Sequence, residues 1–120
     1  MQEDTQISVL LEPFRVRRIY DEEVALVVVT GEVDHLTAPA LREELGRVRA
    51  DRAVVVDLCS TAFMDSSGLA VLLAAAREHP GGLHIACAPE GAIRRLIDVS
   101  RVATALRLYG TREEAIANAR

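Results

Sequence analysis

The sequence predicts a single small α/β domain with a mixed, mostly parallel β-sheet. Three apolar runs are each separated from the next by a segment of helical periodicity, which predicts parallel strands joined by right-handed crossovers. Two β-branched runs near the start, joined by a short acidic turn, predict an antiparallel hairpin. The chain has 120 residues, of which 50% are hydrophobic and 27% charged, and this balance fits one folded domain with one core.

The first half of the chain contains the hairpin and one helix. Residues 14–20 and 24–32 are the two hairpin strands. The next segment predicts a helix with Thr37 as its N-cap and Pro39 in its first turn, where proline is tolerated. The apolar stripe of this helix is Leu41, Leu45 and Val48.

The second half alternates strands and helices. Residues 53–58 are almost continuously apolar, which is typical of a strand covered on both faces. After the turn at 65–68, apolar residues recur at helical spacing and stop before Pro80. A strand over 83–88, a helix over 90–99, a strand over 106–109 and a final helix follow; Thr111 and Glu114 form a capping box for the last helix. The domain is therefore expected over 14–120 with about four helices, and residues 1–13 are expected to be either an edge strand or a loose arm.

The composition excludes several classes of protein. All fourteen basic residues are arginine, so chemistry that needs a lysine ammonium group, such as a Walker-A phosphate site or a Schiff base, is excluded. A net charge of −4 and 3% aromatic residues argue against nucleic-acid binding. No segment is typical of a signal peptide or a membrane span, so we expect a cytoplasmic protein without membrane insertion. Cys59 and Cys87 are expected to be reduced and buried.

The most informative segment runs over residues 54–69, where a buried strand leads through a hydroxyl-rich turn into a helix. The free N–H groups and the dipole at a helix start favour negative charge, so a phosphate is compatible with this position. An alternative is that Asp65 or Ser66 is only an N-cap. Asp57, which ends the buried strand, is expected to accept hydrogen bonds that organise the following loop, and Cys59 is expected to be a small buried residue.

The peptide Phe63-Met64-Asp65-Ser66-Ser67-Gly68-Leu69 resembles the signature of the STAS family, specifically of bacterial anti-sigma factor antagonists. Other pieces resemble the family in the same order: residues 31–34 with 37–39, the strand at 54–58, and the pattern from 93 to 115. The resemblance covers nearly all of residues 14–120 and implies the same mixed sheet.

The resemblance implies a regulatory protein without catalysis, cofactor or metal. Ser66 is the implied phosphorylation site, and its kinase is the anti-sigma factor itself. The unphosphorylated form would bind that anti-sigma factor serine kinase and free a sigma factor, and a serine phosphatase would reset the phosphorylated form. The implied partner-binding residues are Asp34, Asp65, Ser66, Ser67 and Gly68; Asp34 is also open to a second interpretation, as a cap of the turn before the first helix.

The sequence argues against three rival functions. A hydrolase would use Ser66 with His79 or His84 as base, but Met64 stands where the nucleophile elbow needs glycine. A response-regulator receiver needs a lysine that the chain lacks. A metal site has no recognisable ligand spacing, so the histidines are expected to be solvated or structural. Within the STAS family, the alternative is a scaffold subunit of a stress-signalling assembly or of a lipid or anion transport system.

Overall fold

The structure is a computed structural model that describes residues 13–21 and 23–120, except the side chain of Ala103. Within this part the elements follow in the predicted order. They are β1 (Arg15–Tyr20), β2 (Val24–Val33), α1 (Ala38–Gly46), β3 (Ala53–Met64), α2 (Ser66–Glu78), β4 (Leu83–Ala86), α3 (Ala92–Val99), a 3₁₀ turn (Ala103–Ala105), β5 (Arg107–Tyr109) and α4 (Arg112–Ala119). The prediction for residues 1–13 lies almost wholly outside the described residues.

The strands form one five-stranded sheet in the order β1-β2-β3-β4-β5. β1 pairs with β2 in antiparallel orientation, and all other neighbours are parallel. This confirms the predicted α/β class, the mixed sheet and the N-terminal hairpin. Neighbouring parallel strands need a crossover connection, commonly a helix, and each connection here contains one.

β3 is twice as long as the predicted strand. It continues from Leu58 to Met64 and pairs there with β2, although β4 ends beside Asp57. The sequence of this second half contains hydroxyl and small residues and its side chains are largely exposed, so it lacks the apolar run by which the first half was recognised. Register shifts in the pairing with β2, one of them between Gly31 and Glu32, accommodate the change.

Helices cover the two faces of the sheet unequally. The larger core contains buried side chains of α1, α2 and α3, among them Leu41, Leu72 and Ile97. The smaller core on the other face is covered by α4 through Ala115. The six buried residues of the smaller core are Val24, Leu26, Val28, Val55, Ala86 and Ala115.

The helix starts agree with the sequence in part. Pro39 lies in the first turn of α1, as predicted. The Thr111 hydroxyl accepts a hydrogen bond from the Glu114 N–H at 3.1 Å, which is one of the two bonds of the predicted capping box. Thr37 precedes α1, but its side chain does not cap the helix. Its hydroxyl instead donates to the Glu32 carbonyl at 2.9 Å and accepts the Asp34 N–H at 2.9 Å, which fastens the loop to the end of β2.

The two cysteines are both free thiols in different environments. Cys87 is buried as predicted, whereas Cys59 is exposed, which corrects the prediction of a buried residue. β3 runs on past Cys59 while β4 stops at Ala86, so Cys59 lies in the part of β3 that has a neighbouring strand, β2, on one side only. Partial burial of the sulfur and the neighbouring Asp57 carboxylate raise the pKa of Cys59 to about 12, which keeps the thiol protonated.

In the described part of the chain, no helix combines the length and apolar character of a membrane span.

Candidate functional site

The candidate site lies where β3 turns into α2, at the carboxyl end of the parallel strands. Asp65 has extended backbone geometry, and its Oδ1 accepts a hydrogen bond from the Ser67 N–H at 2.8 Å. The Asp65 N–H donates to the Val33 carbonyl at 3.0 Å, which joins the turn to β2. Of the two N-cap candidates in the sequence, Asp65 therefore caps the helix and Ser66 does not.

Ser66 is the first residue of α2 and is exposed, whereas the neighbouring Ser67 is half-buried. Among the described residues, no side chain or backbone group forms a hydrogen bond with the Ser66 hydroxyl. The position at a helix start favours added negative charge, because unpaired N–H groups and the helix dipole point toward it. The geometry thus presents one hydroxyl outward and keeps its neighbour partly covered.

Gly68 fixes how closely α2 approaches the sheet. It is buried, and a Cβ at this position would lie 2.7 Å from both Met64 Cγ and Val33 Cγ1. Real Cβ atoms do not approach other carbons so closely, so a glycine is required for this packing. Gly68 therefore fixes the position of the helix start that carries Ser66, and its part in partner binding stays a prediction.

Asp34 organises the loop between β2 and α1. Its Oδ1 accepts hydrogen bonds from the N–H groups of Leu36 at 2.9 Å and Thr37 at 3.1 Å. These two bonds hold the pKa of Asp34 below its ordinary value. Of the two interpretations given to this residue, the cap of the turn is the one visible in the structure; contact with a partner stays a prediction.

Asp57 is a buried carboxylate with two partners. Its Oδ1 accepts the Cys59 N–H at 2.9 Å, and its Oδ2 lies 2.6 Å from Arg112 Nε at the start of α4. Burial works to raise the pKa of Asp57, but the hydrogen bonds from Cys59 and Arg112 outweigh it and leave the pKa lowered. Asp57 is a hydrogen-bond acceptor as predicted, but it does not end the strand or organise a loop, because β3 continues to Met64. Its pairing with Arg112 joins residues too far apart in sequence to be found from local pattern.

The histidines are not arranged to assist Ser66. His79 follows the last residue of α2, so the helix rise separates it from Ser66 by about 20 Å. His84 is buried in β4, where its Nδ1 lies 3.1 Å from the Tyr109 hydroxyl. His35 is exposed. Among the residues that the structure describes, no three metal-ligating side chains come together.

Two exposed apolar side chains at the same end of the sheet as the site have no counterpart among the sequence predictions. Leu36 is 76% exposed in the loop before α1, and Phe63 is 45% exposed near the end of β3. The available signal was that both apolar residues fall outside any periodic stripe, Leu36 in an otherwise polar loop and Phe63 beside the Asp65 turn.

Comparison with known proteins assigns this architecture to a class. Residues 18–110, which include β2 to β5 and the Asp65-Ser66 turn, match the family model described as "Mlab, STAS domain". The chain belongs to the STAS domain family.

Among curated proteins, the chain is similar to the anti-sigma-F factor antagonist RsfB of Mycobacterium tuberculosis, with 33% identity over 100 residues, 81% of this chain and 82% of that protein. It is also similar to the crystal structure of an anti-sigma factor antagonist from Mycobacterium paratuberculosis, with 32% identity, a TM-score of 0.79, and coverage of 90% of this chain and 95% of that one. The phosphorylated form of the Bacillus cell fate determinant SpoIIAA shares the fold at 22% identity and a TM-score of 0.63, over 90% of this chain and 100% of that one.

Proposed function

We propose that this chain is an anti-sigma factor antagonist whose binding is switched by phosphorylation of Ser66. The unphosphorylated form binds an anti-sigma factor with serine kinase activity, and this releases a sigma factor. Phosphorylation of Ser66 by that kinase ends the binding, and a serine phosphatase restores it. The working domain covers residues 14–120, and the protein acts in the cytoplasm.

In this proposal the chain is a phosphate acceptor and carries out no catalysis of its own. The Ser66 Oγ attacks the γ-phosphorus of ATP, its proton passes to a base on the kinase, and the bond from phosphorus to the ADP oxygen breaks. The reset is hydrolysis, in which water attacks the phosphoserine phosphorus and releases inorganic phosphate with the serine hydroxyl. The chain contributes the acceptor and its orientation.

The observation that carries this proposal is the exposed Ser66 at the first position of a capped helix. The Asp65 carboxylate is already bound to the Ser67 N–H, so the helix keeps its cap whether or not Ser66 is modified. A phosphate at Ser66 gains about 0.3–1 kcal/mol from the helix N-terminus, and repulsion from the adjacent Asp65 opposes this gain. The net effect of the phosphate on the stability of the helix is therefore small, which supports a switch that leaves the fold intact.

The similar proteins favour this function over the alternatives. RsfB and the Mycobacterium paratuberculosis protein, both above 30% identity, carry names that describe antagonists of anti-sigma factors. A subunit of a transport system would have no need of the acceptor turn Asp65-Ser66. A hydrolase is disfavoured because His79 and His84 are remote from Ser66 or engaged elsewhere.

The test is the intact mass of the chain after incubation with ATP and the purified anti-sigma factor kinases of the source genome, followed by peptide mapping. We expect one added phosphate on Ser66. Ser66→Ala should abolish the modification, while Ser67→Ala, the matched control one residue away, should leave most of it. A phosphate mapped to Ser67 with Ser66 unmodified would overturn the assignment.

A further inference from the structure

Two of the exposed large hydrophobic side chains lie at the end of the sheet where α2 begins with Ser66. Leu36 belongs to the loop before α1, and Phe63 lies two residues before Asp65. Single exposed apolar residues are common on protein surfaces and need no explanation. Two of them at the end of the sheet that carries a proposed modification site call for an explanation.

Glu32 connects these side chains into one surface. It is the register partner of Phe63 across the β2–β3 pairing, and both residues are exposed. Its carbonyl accepts the Thr37 hydroxyl at 2.9 Å, which holds the loop that carries Leu36. Because the Asp65 N–H also donates to the Val33 carbonyl, the exposed residues Leu36, Glu32, Phe63 and Ser66 lie at one end of the sheet, and they are here called the anchor surface.

The anchor surface is presented by a rigid loop. The carboxylate of Asp34 binds the N–H groups of both Leu36 and Thr37, so the backbone around Leu36 is held in place. A side chain on a pre-organised backbone loses less conformational freedom when a partner covers it. The loop therefore supports binding of an apolar side chain at low entropic cost.

The charge around the anchor surface is negative. Glu32, Asp34 and Asp65 form no ion pair with any basic side chain in the described part of the chain, although arginines are plentiful there. Unpaired carboxylates around two apolar groups are complementary to an apolar recess rimmed by Arg or Lys.

We infer that Leu36 and Phe63 are apolar anchors by which the unphosphorylated chain docks on its anti-sigma factor kinase, on a surface of that kinase with a basic rim. This inference rests on the proposed function and names the contacts of the same site. Docking through these anchors places the Ser66 hydroxyl toward the γ-phosphate of the bound nucleotide. After transfer, the phosphoserine faces the remaining nucleotide phosphates, and like charges at close range drive the complex apart.

The test measures Kd by titration calorimetry between the chain and the purified anti-sigma factor kinase that phosphorylates it. Leu36→Ala and Phe63→Ala should each weaken binding at least about tenfold, equivalent to about 1.4 kcal/mol. Val99→Ala is the matched control, because Val99 is 77% exposed at the last residue of α3 and should leave Kd within about twofold. Glu32→Gln should weaken binding and reduce its dependence on salt concentration.

The outcomes separate this inference from the proposed function. Wild-type affinity in both Leu36→Ala and Phe63→Ala, with the wild type itself binding, overturns the anchors and leaves the function standing. Failure of the unphosphorylated wild type to bind or be modified by any anti-sigma factor kinase of the source genome overturns the function and the anchors together. Circular dichroism verifies each fold, and Leu36→Gln or Phe63→Gln replaces an alanine variant that does not fold.

Discussion

Asp65, Ser66 and Gly68 perform three different tasks within one short peptide. Asp65 caps α2 through the Ser67 N–H, Gly68 allows the helix to pack closely on β2 and β3, and Ser66 is exposed. The cap and the glycine fix the helix start, so the exposed hydroxyl keeps a defined position. A chemical change at Ser66 is thereby separated from the residues that maintain the fold.

Replacement of Gly68 tests its role as a packing residue. Alanine is normally favoured over glycine inside a helix by about 1 kcal/mol. At Gly68 the added Cβ would meet Met64 Cγ and Val33 Cγ1 at 2.7 Å, so we expect Gly68→Ala to lower the free energy of unfolding by about 1–3 kcal/mol. Denaturant unfolding followed by circular dichroism measures the change.

Gly46 is the matched control for this experiment. It ends α1, and a Cβ there would have no heavy atom within 4 Å. Gly46→Ala should be neutral or stabilise the protein by up to about 1 kcal/mol. Equal unfolding midpoints for Gly68→Ala and the wild type would show that the helix does not need the close approach.

Single residues also show what sequence reasoning can and cannot find at this site. The Asp-Ser-Ser-Gly turn was identified because its residues are contiguous and hydroxyl-rich. The sequence alone does not decide which of Asp65 and Ser66 caps α2, since either side chain is a competent N-cap. The exposure of Cys59 was predicted wrongly because it depends on where β4 ends, a property of another segment of the chain.

At the scale of elements, α4 is joined to the sheet through a buried carboxylate. It covers the smaller core, and Arg112 in its first turn pairs with the buried Asp57 of β3 at 2.6 Å. An isolated buried carboxylate is unfavourable, so Arg112 both holds the helix and compensates the charge. This contact links the last helix to the central strand.

Replacement of Arg112 tests this link. Arg112→Ala should lower the free energy of unfolding by about 1–3 kcal/mol at neutral pH, because a charged hydrogen bond is lost at a buried acceptor. Arg49→Ala is the control: Arg49 pairs with Asp51 at 2.8 Å with both side chains largely exposed, and its loss should cost less than about 1 kcal/mol. Thermal or denaturant unfolding of the two variants gives the comparison.

The stability lost in Arg112→Ala should depend on pH. The pKa of Asp57 is lowered in the folded wild type, so its contribution to stability is present above the unfolded pKa of about 4 and is lost as pH falls through the folded value. Without Arg112, burial is opposed by fewer hydrogen bonds and the pKa of Asp57 should rise. The difference in free energy of unfolding between wild type and Arg112→Ala should therefore be largest above about pH 5 and should become smaller below about pH 4. A difference that does not change with pH would contradict the role given to Asp57.

The order of elements in the whole molecule followed from the sequence because each has a local signal. Apolar runs marked the buried strands, helical spacing marked the helices, and Thr111 with Glu114 marked the start of α4. The second half of β3 has no such signal, because its pairing with β2 alone makes it a strand. The pairing of Asp57 with Arg112 and the exposure of Leu36 and Phe63 likewise arise only when distant segments fold together.

At the scale of the whole molecule, the separation of site and core is compatible with the proposed switch. The cap, the close-packed glycine and the Asp57–Arg112 link lie inside the fold, while Ser66 and the anchor surface lie outside it. A phosphate on Ser66 adds about −1.5 to −2 charge at neutral pH to a surface that the kinase must desolvate. An unpaired charge is costly to bury at an interface but is tolerated in water, so phosphorylation should act on binding and not on folding.

The most direct measurement is the affinity of the purified Ser66-phosphorylated and unphosphorylated chains for the same anti-sigma factor kinase, with circular dichroism recorded on both forms. We expect the phosphorylated form to bind at least about 100-fold more weakly, a difference of about 2.7 kcal/mol, with an unchanged spectrum. Equal affinity of the two forms would contradict the account, as would a phosphorylated chain that has lost its fold.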